Sequence, residues 1–305
     1  MGKTIDVIIP TFRPNKDLVE LVSRLKKQTI KINKVIILHT ISFPDPKEML
    51  NGFSDVEVYY IDEKSFDHGT TRNYGASLSK ADYMVFMTQD AMPRDTRLIE
   101  NLILPMEEDT SIAGTYARQL PKEDTSIIEK YTRKFNYPNV SIKKTIKDIP
   151  TLGIKTFFFS DVCAAYRKTY FNEVGGFENH IILNEDALIA SKFINAGYGT
   201  YYSAKALVYH SHNYSIMDQF HRNFDIGVSH ATYPEVFSNL SSESEGIHLV
   251  IDTMRFLLRV KKPFLIFRLF FQSVAKYKGY FLGKHYKYLP KSFIQYCTLN
   301  KNFWY

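Results

Sequence analysis

Across the opening of the chain, short apolar runs alternate with stretches of helical periodicity. Ile5-Asp6-Val7-Ile8-Ile9, closed by Pro10, reads as a buried strand. Val35-Ile36-Ile37-Leu38, Val56-Glu57-Val58-Tyr59-Tyr60 and Tyr83-Met84-Val85-Phe86-Met87 read as three more. Between the first two, Asn15 can cap a helix whose Leu18, Leu21, Val22 and Leu25 share one face. Another helix is predicted to begin near Thr71. Strands alternating with helices imply an α/β fold, a mostly parallel sheet covered on both faces. Further on, the residues predict a Gly175-Gly176-Phe177 turn, a helix from about Glu185 to Ala196 stopped by Gly197, and a strand from Thr200 to His210.

Ligands of such sheets sit at the carboxyl ends of the strands, which directs attention to residues 11–15, 39–46, 62–71 and 88–93. No Gly-x-Gly-x-x-Gly follows the first strand and no Gly-x-x-x-x-Gly-Lys-Ser/Thr occurs, which argues against a dinucleotide oxidoreductase and a P-loop phosphotransferase. Asp90 follows the fourth strand directly. A carboxylate there can hold Mg²⁺ or Mn²⁺ against a diphosphate, or it can cap the helix after Pro93. His210 and His212, two apart on a strand-like run, point the same way and can reach one ion, or they serve as structural histidines. Glu185-Asp186 opens a helix; Asp186 can accept a proton from an attacking hydroxyl or serve as a cap. The helix dipole predicts a lowered pKa for Asp186. The stretch Phe66-Asp67-His68-Gly69-Thr70-Thr71-Arg72-Asn73 sets backbone N–H groups and Arg72 where phosphate oxygens can bind, or forms a polar surface loop.

These segments together resemble the inverting family 2 glycosyltransferases of the GT-A fold, a Rossmann-like arrangement. In family order come Ile8-Ile9-Pro10-Thr11-Phe12, Thr71-Arg72-Asn73-Tyr74-Gly75, Gln89-Asp90, Gly175-Gly176-Phe177 and Glu185-Asp186, and the likeness runs from Ile5 to about Gly227. Within the family the chain is most similar to bacterial rhamnosyltransferases, through residues 66–73, Thr88-Gln89-Asp90-Ala91, His210-Ser211-His212-Asn213-Tyr214-Ser215, Lys276-Tyr277-Lys278-Gly279-Tyr280 and Gly283-Lys284. The resemblance implies dTDP-β-L-rhamnose as donor and a lipid-linked saccharide as acceptor. It implies that Thr11, Phe12, Arg13, Asp67, His68, Gly69, Arg72, Gln89 and Asp90 bind the donor. By the same likeness Asp90 holds the metal with His212 or His210, Asp186 is the base, and Glu185 stands on the acceptor side. The chain departs from the family where Thr88 replaces the earlier acid of an Asp-x-Asp, and where His39-Thr40 follows the second strand in place of acids that meet the base.

Charge divides the chain. Residues 248–305 carry 11 Lys and Arg against one acid, Asp252, whereas the remainder is mildly acidic. The boundary is expected in the polar stretch 238–246, giving a catalytic domain 1–246 and a helical, basic and aromatic extension 247–305. Phe256, Leu257, Leu258, Phe264, Leu265, Phe267, Phe270 and Phe271 interleave there with Arg255, Arg259, Lys261, Lys262 and Arg268. That mix suits a helix pair on an anionic bilayer surface, or packing on the catalytic domain. Single-stranded nucleic acid suits it too, but leaves the ordered motifs unexplained, so no nucleic-acid partner is expected. The first residues show no secretory signal, no stretch reads as a membrane span, and two cysteines are too few for a disulfide framework. The expectation is a cytoplasmic enzyme, peripheral at the inner face of the membrane.

Overall fold

The computed structural model describes residues 2–237 and 243–304. Its first part runs β1 (Ile5–Thr11), α1 (Lys16–Lys26), β2 (Lys34–Thr40), α2 (Pro46–Met49), β3 (Val56–Ile61), α3 (His68–Leu78) and β4 (Tyr83–Met87). β1 pairs in parallel with β2 and β4, and β2 with β3. Side chains alternate between two cores. Val7, Ile9, Val35, Ile37 and Val85 fill one, while Ile8, Ile36, Leu38, Met84 and Phe86 fill the other. Burial on both faces is why these strands read as continuous apolar runs. Asn15 caps α1, which buries Leu18, Leu21, Val22 and Leu25 as their spacing predicted.

Two boundaries differ from expectation. Pro10 lies inside β1 instead of closing it: proline gives up a donor but keeps its carbonyl, and the strand continues to Thr11. α3 starts at His68, ahead of Thr71, because Asp67 accepts hydrogen bonds from the N–H groups of Gly69 and Thr70 at 3.1 and 2.7 Å.

The chain continues through β5 (Met92–Pro93), α4 (Leu98–Glu108), β6 (Ile112–Leu120), α5 (Ile127–Asn136), β7 (Ile142–Lys144), α6 (Ile149–Leu152), β8 (Cys163–Arg167), α7 (Lys168–Glu173), α8 (Glu185–Asn195) and β9 (Gly199–Tyr209). The sheet order is β3-β2-β1-β4-β8-β6-β9-β5, with β7 on β9. β8 runs antiparallel to β4, pairing Cys163 with Met87, so the loop entering β8 meets the carboxyl end of β4. β6 and β9 are parallel, and their carboxyl ends, Leu120 and Tyr209, are partners. Pairing thus gathers residues near 90, 120, 161 and 210 at one edge.

Beyond the sheet lie α9 (Ile216–Thr232), α10 (Pro234–Phe237), α11 (Glu243–Arg259), α12 (Leu265–Lys284) and α13 (Lys291–Cys297). α9 and α12 touch backbone to backbone: a Cβ on Gly227 would strike the Tyr280 carbonyl, and one on Gly279 or Gly283 the carbonyl of Phe220 or Phe224. Part of the expected boundary stretch, residues 238–242, lies outside the described residues. Cys163 and Cys297 are buried and unbonded. Among the described residues no helix is long and apolar enough to cross a membrane.

Candidate active site

Asp90 leaves the carboxyl end of β4, and β5 pins its loop against Tyr209. It caps no helix, since α4 begins at Leu98. Its Oδ2 stands 3.4 Å from Nε2 of His210 and 3.4 Å from Nε2 of His212, and the two nitrogens are 3.0 Å apart. Nδ1 of His210 sits 2.9 Å from Oε1 of Gln119. The Gln119 amide nitrogen donates to Tyr137 and Ser160, and its oxygen also accepts from Arg133. Nδ1 therefore carries a proton in either state: neutral His210 offers its Nε2 lone pair to a cation, and protonated His210 donates from Nε2 to Asp90. Burial lowers the pKa of His210; burial and then neighbouring His210 bring His212 to about 4. Burial alone would raise Asp90, but the hydrogen bond and charge of His210, with Thr88 and His212, hold it below the usual range. An anionic oxygen and two neutral imidazole nitrogens within 4.8 Å of one another form a donor set for a divalent cation.

Asp186 stands in the first turn of α8, behind Asn184 in the left-handed conformation at φ +69°. It accepts the N–H of Ala187 at 2.8 Å and that of Asp161 at 3.4 Å. The expected lowering of its pKa is overturned. Burial, with Glu185 adding to it, outweighs the backbone bonds and raises the carboxyl to about 7. Arg72 is buried beneath, 3.2 Å from Glu185 and 3.6 Å from Asp161, and donates to the His68 carbonyl at 2.9 Å. Burial opposes its charge, but Glu185 and Asp161 more than compensate and raise it. Glu185 is held low by Arg72 against burial, whereas burial drives Asp161 up.

Arg72, Asp90 and Asp186 converge, with Gln89, Glu185, His210 and His212, on one cavity of about 450 Å³. Phe12 and Asp67 line a second cavity of about 600 Å³, and His68 lines both. Gln89 fixes Phe12 by two reciprocal backbone bonds, at 3.0 and 2.9 Å.

Several residues expected at the donor do other work. Gly69 lines neither cavity; it packs on the Glu178 carbonyl, which any Cβ would strike. Thr11 is buried against His39 Nδ1 at 3.1 Å, and Arg13 lies over the Phe12 ring; neither lines a cavity. The oxygens of Asp67 are taken by N–H groups of Gly69, Thr70, His180 and Ile181. Arg72, expected on the base or diphosphate, is committed to Glu185 and Asp161, and Glu185 to Arg72 in place of an acceptor.

Sequence reasoning missed Gln119, Asp161 and Arg222. Asp161 had one signal, as the only acid within the apolar stretch 156–166. Arg222, on α9, lines the smaller cavity with its guanidinium 5.9 Å from the Tyr214 ring, and no ion pair engages it among the described residues.

The family described as Glycosyl transferase family 2 matches residues 6–175, more than half of the chain. The chain belongs to that family. It is an inverting glycosyltransferase, and its nearly complete relatives agree with the assignment. Over 302 residues this family 2 enzyme is 39% identical to the O-antigen chain rhamnosyltransferase RfbN of Salmonella typhimurium, covering 98% of the chain and 96% of that protein. Over 281 residues it is 38% identical to the O-antigen chain rhamnosyltransferase WbaN of Salmonella anatum, covering 92% and 88%. Two solved structures share the GT-A fold. One is the mannosyltransferase PcManGT from Pyrobaculum calidifontis in complex with GDP-Man and Mn²⁺, at TM-score 0.58 and 12% identity over 99% of this chain and 85% of that one. The other is S. aureus TarS 1–349 in complex with UDP-GlcNAc, at 0.54 and 14% over 93% and 91%.

Proposed function

We propose that the enzyme moves L-rhamnose from dTDP-β-L-rhamnose to a hydroxyl of a lipid-linked saccharide during cell-surface polysaccharide synthesis. Similarity to two proteins named as O-antigen chain rhamnosyltransferases supports the sugar. The chemistry rests on one observation: Asp90 and Asp186 line a single cavity while their pKa values are pushed in opposite directions.

In this reading the nucleoside occupies the larger cavity beside Phe12, and the transferred sugar the smaller one. Asp90, His210 and His212 would hold Mn²⁺ or Mg²⁺, and a bound ion supplies positive charge to the departing diphosphate. Arg222, which no ion pair engages among the described residues and which lines the same cavity, takes the diphosphate role first expected of Arg72. The acceptor hydroxyl attacks the anomeric carbon as its proton passes to Asp186, and the bond to the diphosphate oxygen breaks on the opposite face. A β-L donor yields an α-L-rhamnoside. Arg72 neutralises Glu185 beneath, while Asp186, facing the substrate, is raised to about 7.

The extension supports delivery to a membrane-bound acceptor, as an appendage (247–305) to the catalytic domain (1–246). Its apolar residues divide. Leu257 and Leu269 are buried with Ile128 of α5, and Phe256 stacks on Tyr131 at 4.5 Å. Phe264, Phe267, Phe270 and Phe271 face outward, 85, 68, 60 and 55% exposed, among Lys261, Lys262 and Arg268. Such a face suits the anionic inner surface of a cell membrane, each cation contributing about 1 kcal/mol. Flotation with anionic vesicles should carry the enzyme upward; equal recovery with neutral vesicles would reject this arm.

A panel of dTDP-, UDP- and GDP-sugars with Mn²⁺ or Mg²⁺, scored for release of nucleoside diphosphate, tests the whole proposal. Release from dTDP-β-L-rhamnose is the expected result. Release from another donor alone would replace the sugar, and none from any donor would overturn the reading.

A further inference from the structure

Asp225, on α9, is fully buried, and Thr298, Leu299 and Asn300 surround it with donors. The Thr298 hydroxyl donates to it at 2.6 Å, the Leu299 N–H at 3.0 Å and the Asn300 amide at 3.1 Å. A buried carboxylate without a cation is tolerated only when its lone pairs are filled this way, so the clamp fixes where the chain goes next. From it the chain continues along the larger cavity, which residues 299–303 help to line. Asn302 donates to the carbonyl of Glu63, at 3.1 Å and 239 positions away, and Phe303 stacks on His180 at 4.6 Å. Asn300, Lys301 and Phe303 line that cavity together with Phe12. A pocket otherwise lined by residues after β1 and β3, the end of β2, the start of α3 and the segment before α8 is therefore completed from the other end of the chain.

We infer that residues 298–304 form a strap that completes the binding site for the nucleoside diphosphate part of the donor, with Asp225 as its positioning residue. This rests on the donor occupying the larger cavity, as proposed above. Lys301 and Lys64 line the cavity beside Glu63 and beside Asp67, whose own oxygens accept N–H groups, and offer cations to a diphosphate. Phe12 and Phe303 bring aromatic surface to the same space. The strap is contributed through α9, which also carries Arg222, so nucleotide binding and the diphosphate end of the catalytic cavity share one support.

The chain holds a single tryptophan, Trp304, inside the strap and edge-on to Phe303 at 5.2 Å. Its emission is a reporter of this segment alone. The test is titration of the full chain with dTDP and with UDP, each with Mn²⁺, read by Trp304 fluorescence and by equilibrium dialysis. The expected result is a saturable emission change at the dissociation constant that dialysis gives. Asn300→Ala, Lys301→Ala and Asp225→Asn should each weaken that constant about tenfold, roughly 1.4 kcal/mol, and raise the donor KM in step while the acceptor KM stays within about twofold. A purely structural role for Asp225 would lower the folded, active fraction and leave KM unmoved, which would overturn its positioning role. Binding by dialysis with silent Trp304 and unweakened variants would overturn the strap and leave the transferase reading standing. No binding of either nucleotide to the wild-type protein would overturn both.

Discussion

At one end of the catalytic cavity Asp90 shares its space with His210 and His212; at the other Asp186 shares its own with Glu185, Asp161 and Arg72. Both carboxyls suffer burial, which favours the neutral form. Asp90 escapes it because the hydrogen bond and charge that His210 offers when protonated, with Thr88 and His212, favour its charged form. Asp186 does not, because the nearest cation already belongs to Glu185. The difference teaches that surroundings, not residue type, hold one aspartate as an anion and lift the other's pKa to about 7, which is what the proposed division into ion ligand and base requires.

The largest expected effect comes from removing the base end. Asp186→Asn should lower kcat by about 10²–10⁴-fold in a transfer assay; retention of near-full activity would dissolve the contrast. Gln119→Ala attacks the other end indirectly, by freeing the His210 tautomer. It should raise the Mn²⁺ concentration needed for half-maximal activity by about 10–100-fold, and chelation should abolish the wild-type reaction until Mn²⁺ or Mg²⁺ is restored. A smaller effect sharpens the comparison through pH. Because Asp186 must be deprotonated to accept a proton, kcat/KM should rise about tenfold per pH unit and level off above about pH 7. Glu185→Gln removes the charge that helps raise Asp186, so the shoulder of that profile should move to lower pH.

The smallest effect is on stability. A carboxyl raised from 3.8 to about 7 contributes stability while protonated in both states, below about pH 4, and loses it as pH rises through about 7. Asp186→Asn should therefore match the wild type near pH 4 and melt a few degrees higher at pH 8, at about 2–4 °C per kcal/mol. A lower Tm at pH 8 would mean that Asp186 is paired with Arg72 more strongly than its burial indicates.

Legibility in the sequence followed burial pattern. β1 to β4 were readable because a parallel sheet covered on both faces demands unbroken apolar runs. β6 and β8 were not, since Ala113-Gly114 and Ala164-Ala165 carry little side chain; the space is filled instead by Tyr166 and Phe159, which meet at Gly114. Asp90, Asp186, His210 and His212 were visible as polar residues at strand or helix ends. What they experience was not. The dipole at the start of α8 could be anticipated from position, but the burial that overrides it depends on Arg72, Glu185 and Asp161 meeting beneath Asp186 from α3, α8 and the loop before β8. Gln119 and Arg222 look like ordinary polar positions until β6 and α9 are folded against the histidines. The strap was invisible for the same reason, its partners lying from 73 to 239 positions away.

The most direct test is the affinity of the protein for dTDP with Mn²⁺, measured calorimetrically for wild type, Asp186→Asn and Asp90→Asn. Division of labour between the two aspartates predicts wild-type affinity in Asp186→Asn and at least tenfold weaker binding, about 1.4 kcal/mol, in Asp90→Asn. Equal loss in both, or loss in Asp186→Asn alone, would contradict it.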